Sequence, residues 1–173
     1  MQARKLSVEA PQIVELSRDR EHVTCALGCI VIVYSGRTPD PGYLERSARV
    51  VNTWAEKFPG GLGMMVLISA NEPPPDELTR RAIHESYVAM RGSIRAAVHV
   101  VEGEGFLASA KRSVITVMNL THSFGFPIKV VSTVSDGAVK LTSLLGPSLS
   151  PGIDPERVTS AAATVRASVP VAI

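Results

Sequence analysis

The sequence lacks the features that define several classes of protein. Of its 173 residues only Cys25 and Cys29 are cysteines, too few for a disulfide framework. No apolar run approaches the roughly 20 residues that span a bilayer, and residues 1–9 lack the apolar core of a signal peptide. These absences predict a cytoplasmic protein without a membrane span, whose two cysteines are free and half-buried.

A concentrated charge of one sign is also missing. The 18 basic and 16 acidic residues are mixed along the chain and give a net charge of +2. Because nucleic-acid binding needs a concentrated basic face, this distribution disfavours a nucleic-acid partner. The length and the 45% hydrophobic content suit one globular domain with a substantial core.

An uncharged apolar stretch, residues 62–69 (LGMMVLIS), marks the centre of the predicted fold. A strand that is apolar on both faces needs cover on both faces, so it is expected to lie inside the sheet. A polar, proline-rich loop, residues 71–77, follows it. Open α/β sheets usually place functional loops at the carboxyl ends of their strands. Asn71, Glu72 and Asp76 are therefore candidate contact residues.

Strand and helix patterns alternate along the chain. A turn at Gly28 predicts an antiparallel hairpin. Strands are predicted at residues 22–26, 29–34, 62–69, 94–101 and 128–132, and helices at 43–58, 76–91, from 106, at 136–145 and from 155. This order predicts an α/β fold with a mixed, mostly parallel sheet whose first strand is antiparallel.

The predicted domain, residues 22–146, has two flanks. Residues 1–21 form an arm without clear periodicity, although residues 13–16 are able to add a short strand. Residues 147–173 form a linker and a C-terminal helix with a thin apolar stripe, which is expected to dock weakly.

Helix periodicity also predicts which side chains point inward and which residues cap the helices. Leu78 is predicted on the buried face of the second helix, and Ser135 as the N-cap of the fourth. The third helix is predicted to bury four apolar residues, Phe106, Ala110, Val114 and Val117.

A glycine motif lies between the strand at 94–101 and the next helix. Gly103, Gly105 and Ala108 fit the spacing of a dinucleotide fingerprint. However, Glu102 and Glu104 would bring negative charge against a pyrophosphate, and no acidic residue ends the next strand. The alternative is a tight turn in which the glycines allow close packing. No cofactor is predicted from this motif.

Two basic doublets, Lys111-Arg112 and Arg80-Arg81, lie near the starts of two helices. Helix amides and cations would cooperate there in binding an anion. The competing interpretation is solvated charge, because cations on helix faces are rarely constrained.

No catalytic or metal constellation is recognised. The four histidines are scattered, and none belongs to a nucleophile motif. His22, Cys25 and Cys29 supply only three zinc ligands, at a spacing that matches no familiar site. His99, flanked by alternating apolar residues on a predicted strand, is the histidine whose environment is most informative.

Three sequence motifs resemble those of a known family. They are the aliphatic strand followed by Pro73-Pro74-Pro75-Asp76, residues 101–106 (VEGEGF) before a helix that contains Lys111-Arg112-Ser113, and residues 126–130 (FPIKV) before the last core helix. With them, residues 29–145 resemble the SpoIIAA-like or STAS-like domains, the anti-sigma-factor antagonist class, that occur in multiple copies in myxobacteria. The resemblance implies a mixed sheet covered by helices and a non-enzymatic bacterial regulatory or scaffold domain that binds another protein.

The phosphorylation switch of STAS antagonists has no counterpart in the sequence. Those proteins carry a phosphorylatable serine in an Asp-Ser-Ser/Thr-Gly motif after the central strand. Residues 69–73 (SANEP) lack this motif, and Ser69 is the nearest candidate.

Two functional hypotheses follow from the sequence. The leading one is association with a protein partner, which includes a homodimer, through residues 71–77 and 102–106. The alternative is a small-ligand or nucleotide-binding domain, a degenerate enzyme, that uses the Gly103-Gly105 turn with Glu104, Lys111 and Arg112 beside it.

Overall fold

The computed structural model of the chain describes residues 11–69, 74–121 and 124–169. Within these ranges six strands form one sheet in chain order, and five α-helices cover it. The strands are β1 (Ile13–Arg18), β2 (His22–Leu27), β3 (Ile30–Ser35), β4 (Leu62–Ile68), β5 (Ile94–Val101) and β6 (Ile128–Val131). The helices are α1 (Pro41–Ala55), α2 (Glu77–Ala89), α3 (Phe106–Thr121), α4 (Val134–Leu145) and α5 (Pro155–Ala167).

The sheet is mixed, as the sequence predicts. Strands β1, β2 and β3 are antiparallel neighbours, whereas β3, β4, β5 and β6 run parallel. Gly28 lies in the β2–β3 turn with φ 55°, in the left-handed region that favours glycine. The predicted α/β class, the hairpin and the parallel strands that follow it are confirmed.

Strand β4 lies inside the sheet, between β3 and β5. Its residues alternate between two covered faces. Met65 and Gly63 lie on the face covered by α4, where Gly63 allows Leu145 and Leu141 to approach closely. Met64 and Val66 lie on the opposite face, beneath α1, α2 and α3. The prediction of a central strand covered on both sides is confirmed.

Both flanks of the predicted domain contribute to the fold. Strand β1, within the N-terminal arm, pairs with β2, and α5, within the C-terminal segment, packs on α4, β2 and β3. Val158 and Ala162 of α5 are fully buried, so the expectation of weak docking is wrong. Although the stripe is thin, Ala161 and Val165 are also buried, at 3% and 2% exposure.

Helix α4 begins earlier than predicted. Its N-cap is Thr133, whose Oγ1 accepts a hydrogen bond from the Asp136 backbone N–H at 3.1 Å, and not Ser135. Thr133 has the extended backbone that an N-cap requires, and its hydroxyl also donates to the Asp136 carboxylate.

The predicted inward faces of two helices are partly wrong. Leu78 is 69% exposed and Phe106 is 85% exposed. Among the described side chains of α3, the buried ones are Ala108, Lys111 and Ile115. Apolar residues occur on more than one side of α3, so periodicity does not determine which side packs against the sheet.

We predict that Gly63→Ala destabilises the fold by about 1–2 kcal/mol, because core overpacking costs energy of this order. A Cβ at residue 63 would lie 2.6 Å from Cδ1 of Leu145, which is buried. Urea unfolding monitored by circular dichroism measures the change.

Gly92→Ala is the matched control. Its added Cβ meets no atom within 4 Å, and the φ of Gly92 is not positive. The control is expected to be neutral or to stabilise by less than about 1 kcal/mol through lower entropy of the unfolded chain. Equal stability of the two variants would contradict tight packing between β4 and α4.

Candidate functional site

A cavity of about 120 Å³ lies between the sheet and helices α1, α2 and α3. Its lining is largely apolar. From the sheet it includes Val33, Met64, Val66, Ile68 and His99, and from the helices Tyr43, Leu44, Ile83, Tyr87, Lys111 and Ile115, with Met90 directly after α2.

Strand register places the sheet residues of the lining side by side. Val66 of β4 pairs with Val33 of β3 on one side and with His99 of β5 on the other. Residues paired across neighbouring strands present their side chains on the same face. The three side chains therefore form a row across the floor of the cavity.

The cavity extends from the strand ends toward the interior. Arg37 and Thr38, in the loop between β3 and α1, are exposed and line it at one end. Met64 and Met90 also line it and are buried, at 2% and 3% exposure. The mouth thus lies at the carboxyl ends of the parallel strands, where open α/β sheets bind ligands.

A buried histidine and a buried tyrosine meet in the cavity wall. His99 Nε2 lies 2.5 Å from the Tyr87 hydroxyl oxygen, and the two side chains are 5% and 7% exposed. Nδ1 of His99 has no hydrogen-bond partner among the described residues. We assign the Tyr87 hydroxyl as donor to Nε2, so the imidazole proton lies on Nδ1.

Burial determines the charge of this pair. Removal from water lowers the pKa of His99 from 6.5 to about 4 and raises the pKa of Tyr87 far above its ordinary range. Both side chains are therefore neutral at pH 7. The aromatic rings of Phe124 and Phe126 pack beside Tyr87, with centroids 5.3 and 6.2 Å away, and exclude water from it.

A drop in pH from about 6.5 to about 4 is expected to lower the free energy of unfolding by up to about 3 kcal/mol. Unfolded His99 takes up a proton near its ordinary pKa of 6.5, whereas folded His99 does so only near 4, so acid favours the unfolded chain. Urea unfolding at half-unit pH steps measures this slope.

His99→Gln removes the titrating group and keeps a hydrogen-bonding side chain, so its stability should vary less over the same pH range. Three described carboxyl groups have lowered pKa values and lose their contribution as the pH falls, Glu15 from about 4.5 and Asp19 and Asp76 from about 3.8. These losses are common to the wild type and the variant, so the difference between their slopes reports on His99. An unchanged slope in His99→Gln would refute the role of His99.

Lys111 is buried in the cavity wall at 3% exposure. Its ammonium reaches from α3 to the end of β4 and donates a hydrogen bond to the Ser69 carbonyl oxygen. The interpretation of Lys111 as solvated charge is wrong. A buried ammonium requires polar partners, because transfer of an unpaired charge from water is very costly.

Arg112 turns in a different direction from Lys111. Its guanidinium donates to the carbonyl oxygens of Val101 and Gly103 at 3.0 and 3.2 Å. Gly103 and Gly105 are exposed with φ 100° and 88°, which only glycine adopts readily. Arg112 thus stabilises the turn between β5 and α3, and the adjacent residue Glu104 is exposed.

The remaining predicted contact residues lie near the end of β4. Asp76 is the N-cap of α2, and its Oδ1 accepts a hydrogen bond from the Thr79 backbone N–H at 2.8 Å, which lowers the pKa of Asp76. Ser69 is half-buried directly after β4 and is joined to Lys111. Asn71 and Glu72 lie outside the described residues.

The second basic doublet does not form an anion site with the first. Arg80 donates to the Pro75 carbonyl oxygen at 2.9 Å, and Arg81 pairs with Glu85 on the exposed face of α2. These contacts belong to α2 and to the loop before it.

Sequence reasoning missed a polar cluster beneath α1. The Thr24 hydroxyl lies 3.0 Å from the Tyr43 hydroxyl and 3.2 Å from that of Ser47. Burial raises the pKa of Tyr43 to about 12, and the His22 ring stacks on Tyr43 at 4.4 Å. Polar residues close to the apolar stripe of α1 were the available signal.

The zinc alternative does not fit the geometry around His22. His22 Nδ1 lies 2.9 Å from the Asp19 carboxylate and Nε2 lies 3.1 Å from the Arg37 carbonyl oxygen. Cys25 and Cys29 are free and buried. Across the described ranges, no group of three or more His, Cys, Asp and Glu side chains is arranged to hold a metal ion.

The described helices are too short or too polar to cross a bilayer. Comparison of the chain with protein-family models, curated proteins and solved structures found no match. The class defined by the fold and the site is therefore an α/β domain with a mixed sheet and an apolar cavity at its strand ends. The SpoIIAA-like or STAS-like identity remains a prediction from sequence motifs.

Proposed function

We propose that this protein is a non-enzymatic domain that binds a small, largely apolar molecule in the cavity beneath α1, α2 and α3. The observation that carries the proposal is the cavity itself, which is lined by apolar side chains and a few buried polar groups. This combination is typical of small-molecule sites, where apolar walls supply affinity and a few polar atoms fix orientation.

The size of the cavity supports a binding role. Protein interiors hold few voids larger than a water molecule, and this space of about 120 Å³ exceeds that size. An engineered apolar cavity of about 150 Å³ binds benzene, so the expected guest has a ring-sized body.

The neutral state of His99 favours binding over catalysis. A histidine whose pKa is lowered to about 4 is a weak base at pH 7. The described lining contributes no aspartate, glutamate or cysteine to activate a nucleophile. The proposal also includes a regulatory role of the SpoIIAA-like kind. The sequence motifs and the mixed sheet covered with helices support this role.

Val66→Phe is expected to abolish ligand binding, because its ring would occupy the centre of the cavity floor. In a thermal-shift screen of the wild-type chain, small apolar compounds such as phenol, indole and hexanoate should raise the melting temperature. A ligand at 100 times its Kd adds about 2.7 kcal/mol to stability. Val66→Phe should lose these shifts and keep its fold.

Val88→Phe is the matched control for that screen. Val88 lies on α2, is 40% exposed and does not line the cavity, so its variant should respond to ligands as the wild type does. ATP and NAD complete the panel as tests of the Gly103-Gly105 turn. A shift with a nucleotide alone would favour that turn, and no shift with any apolar compound would reject the cavity as a binding site.

A second candidate function is association with a second copy of this chain. It is favoured by the exposure of Phe106 and Leu78, at 85% and 69%. Phe106 is the first residue of α3, and Leu78 is the second residue of α2. Because these helices follow the adjacent strands β5 and β4, both residues lie at the carboxyl ends of the parallel strands. Acidic Asp76 and Glu104 lie two residues before Leu78 and Phe106, and basic Arg112 lies six residues after Phe106. A surface with apolar residues and both charges can pair with itself across a twofold axis.

Phe106→Asp is expected to raise the dissociation constant of such a dimer at least about tenfold, since burial of one aromatic side chain contributes more than 1.4 kcal/mol. Light scattering over a range of protein concentrations measures the change. Val139→Asp is the control, because Val139 is 55% exposed on α4, on the opposite side of the sheet. A wild-type chain that stays monomeric at all concentrations would rule out the homodimer.

A further inference from the structure

We propose that the outer edge of β6 binds an extended, acidic segment of a partner protein, which adds to the sheet as a further strand. The site consists of β6 itself and of two exposed lysines, Lys129 within the strand and Lys140 on α4. None of these residues lines the cavity, so this inference does not depend on the proposed ligand-binding function.

The backbone of β6 has hydrogen-bonding groups that the sheet does not use. This strand is the last of the described sheet and pairs with β5. The Ala97 N–H donates to the Pro127 carbonyl oxygen, and in such a parallel ladder alternate residues bond to the neighbouring strand. The N–H and C=O groups of Ile128 and Val130 therefore point away from β5, and no backbone group of the described ranges bonds to them there. An edge of this kind accepts an extended peptide.

The two edges of the sheet differ in how they are protected. At the opposite edge, β1 is interrupted by a bulge between Glu15 and Ser17, and bulges hinder pairing with another chain. Strand β6 has no such interruption, since its residues pair with β5 in regular register. An open groove beside it is lined by Arg112 of α3, by Val130 and Val131, and by Lys140 of α4. The outer edge of β6 is thus the more accessible of the two.

The charge beside this edge favours an acidic partner. Neither Lys129 nor Lys140 pairs with a carboxylate among the described residues. Asp136 is the one carboxylate in the described lining of the groove, and it accepts a hydrogen bond from the Thr133 hydroxyl. Glutamate or aspartate on an added strand would lie within reach of the two lysines, and cross-strand pairs of opposite charge stabilise a sheet.

Strand register determines the pattern that the added segment needs. Val130 pairs with His99, so Ile128 and Val130 lie on the face of the sheet that carries the cavity. Lys129 and Val131 lie on the opposite face, beneath α4. Because side chains of an added strand alternate in the same way, the fitting segment alternates apolar residues with acidic ones.

A second copy of this chain fits the edge less well than an acidic segment. Pairing of β6 with another β6 would bring the lysines of both copies together, and like charges on neighbouring strands are destabilising. Lysine on an edge strand protects proteins from this kind of self-pairing. The charge at the edge therefore selects a partner of opposite sign.

Peptide titrations of the full-length chain, monitored by NMR at low ionic strength, test the proposal. The probe is a capped peptide of alternating glutamate and valine, and the matched peptide carries lysine in place of glutamate. The acidic peptide should bind at least about tenfold tighter, because it replaces like-charge contacts with opposite-charge pairs. The amide proton signals of Ile128 and Val130 should move downfield as their N–H groups donate. The acidic peptide with every amide N-methylated lacks donors and should not bind.

Variants connect the binding to this edge. The double variant Lys129→Glu, Lys140→Glu should reverse the preference between the two peptides. Lys57→Glu is its control and should keep the preference, because Lys57 is an exposed lysine after α1, a helix that packs on α2 and β1. Val130→Pro removes an outward N–H, which edge strands tolerate, and should weaken binding at least about tenfold. Val130→Thr keeps that N–H and the β-branched shape, so it should bind at least about tenfold tighter than Val130→Pro.

Three results would overturn the proposal. They are equal binding of the acidic and basic peptides, no binding of either, and signal changes that lie outside β6. Tight binding of the N-methylated peptide would show that no strand is added. A dimer of the wild-type chain that Val130→Pro dissociates would mean that a second copy, and not an acidic partner, occupies the edge. The wild-type titrations require no variant, so they decide the question even if Val130→Pro fails to fold.

Discussion

The fold depends on the need to cover both faces of β4. This strand is apolar throughout and lies between two parallel neighbours, so each of its faces must be removed from water. Parallel strands that follow one another in chain order, with right-handed crossovers, place all their connecting helices on the same face. Helices α1, α2 and α3 lie together on one face for this reason. The opposite face then depends on the helices that follow the last strand.

That dependence explains why α5 docks firmly. Helix α4 covers β4, β5 and β6, and α5 packs beside it over β2 and β3. Without α5, buried residues of the hairpin such as Ile30 would face solvent. Because α5 covers the β2–β3 hairpin, this helix belongs to the core even though its apolar stripe is thin. Cys29 strengthens the connection, because its backbone N–H donates to the Ser150 hydroxyl while its sulfur accepts from the Ser150 N–H.

The face of the sheet covered by α1, α2 and α3 is less completely packed. Three helices from separate connections meet over the row formed by Val33, Val66 and His99, and they leave a space that their side chains do not fill. Polar groups concentrate there, with the Tyr87–His99 pair in the wall and Lys111 near the mouth. Such groups are expensive to bury, so a protein that carries them beside a void gives up stability on this side of the sheet. The association surface at Phe106 and Leu78 follows the same strand ends, so the two proposed functions share one edge of the molecule.

The sequence by itself determined the α/β class, the hairpin at Gly28, the central position of β4 and the approximate span of most helices. These follow from local properties, since periodicity, turn residues and uncharged runs act over a few residues. It also directed attention to His99. Only the tertiary structure decided which face of α3 packs inward, and therefore that Lys111 is buried while Phe106 is exposed. The reason is physical: α3 has apolar residues on more than one side, and its orientation depends on the strands and helices that contact it. The cavity could not be read from the sequence either, because a void is a property of how separate elements fit together.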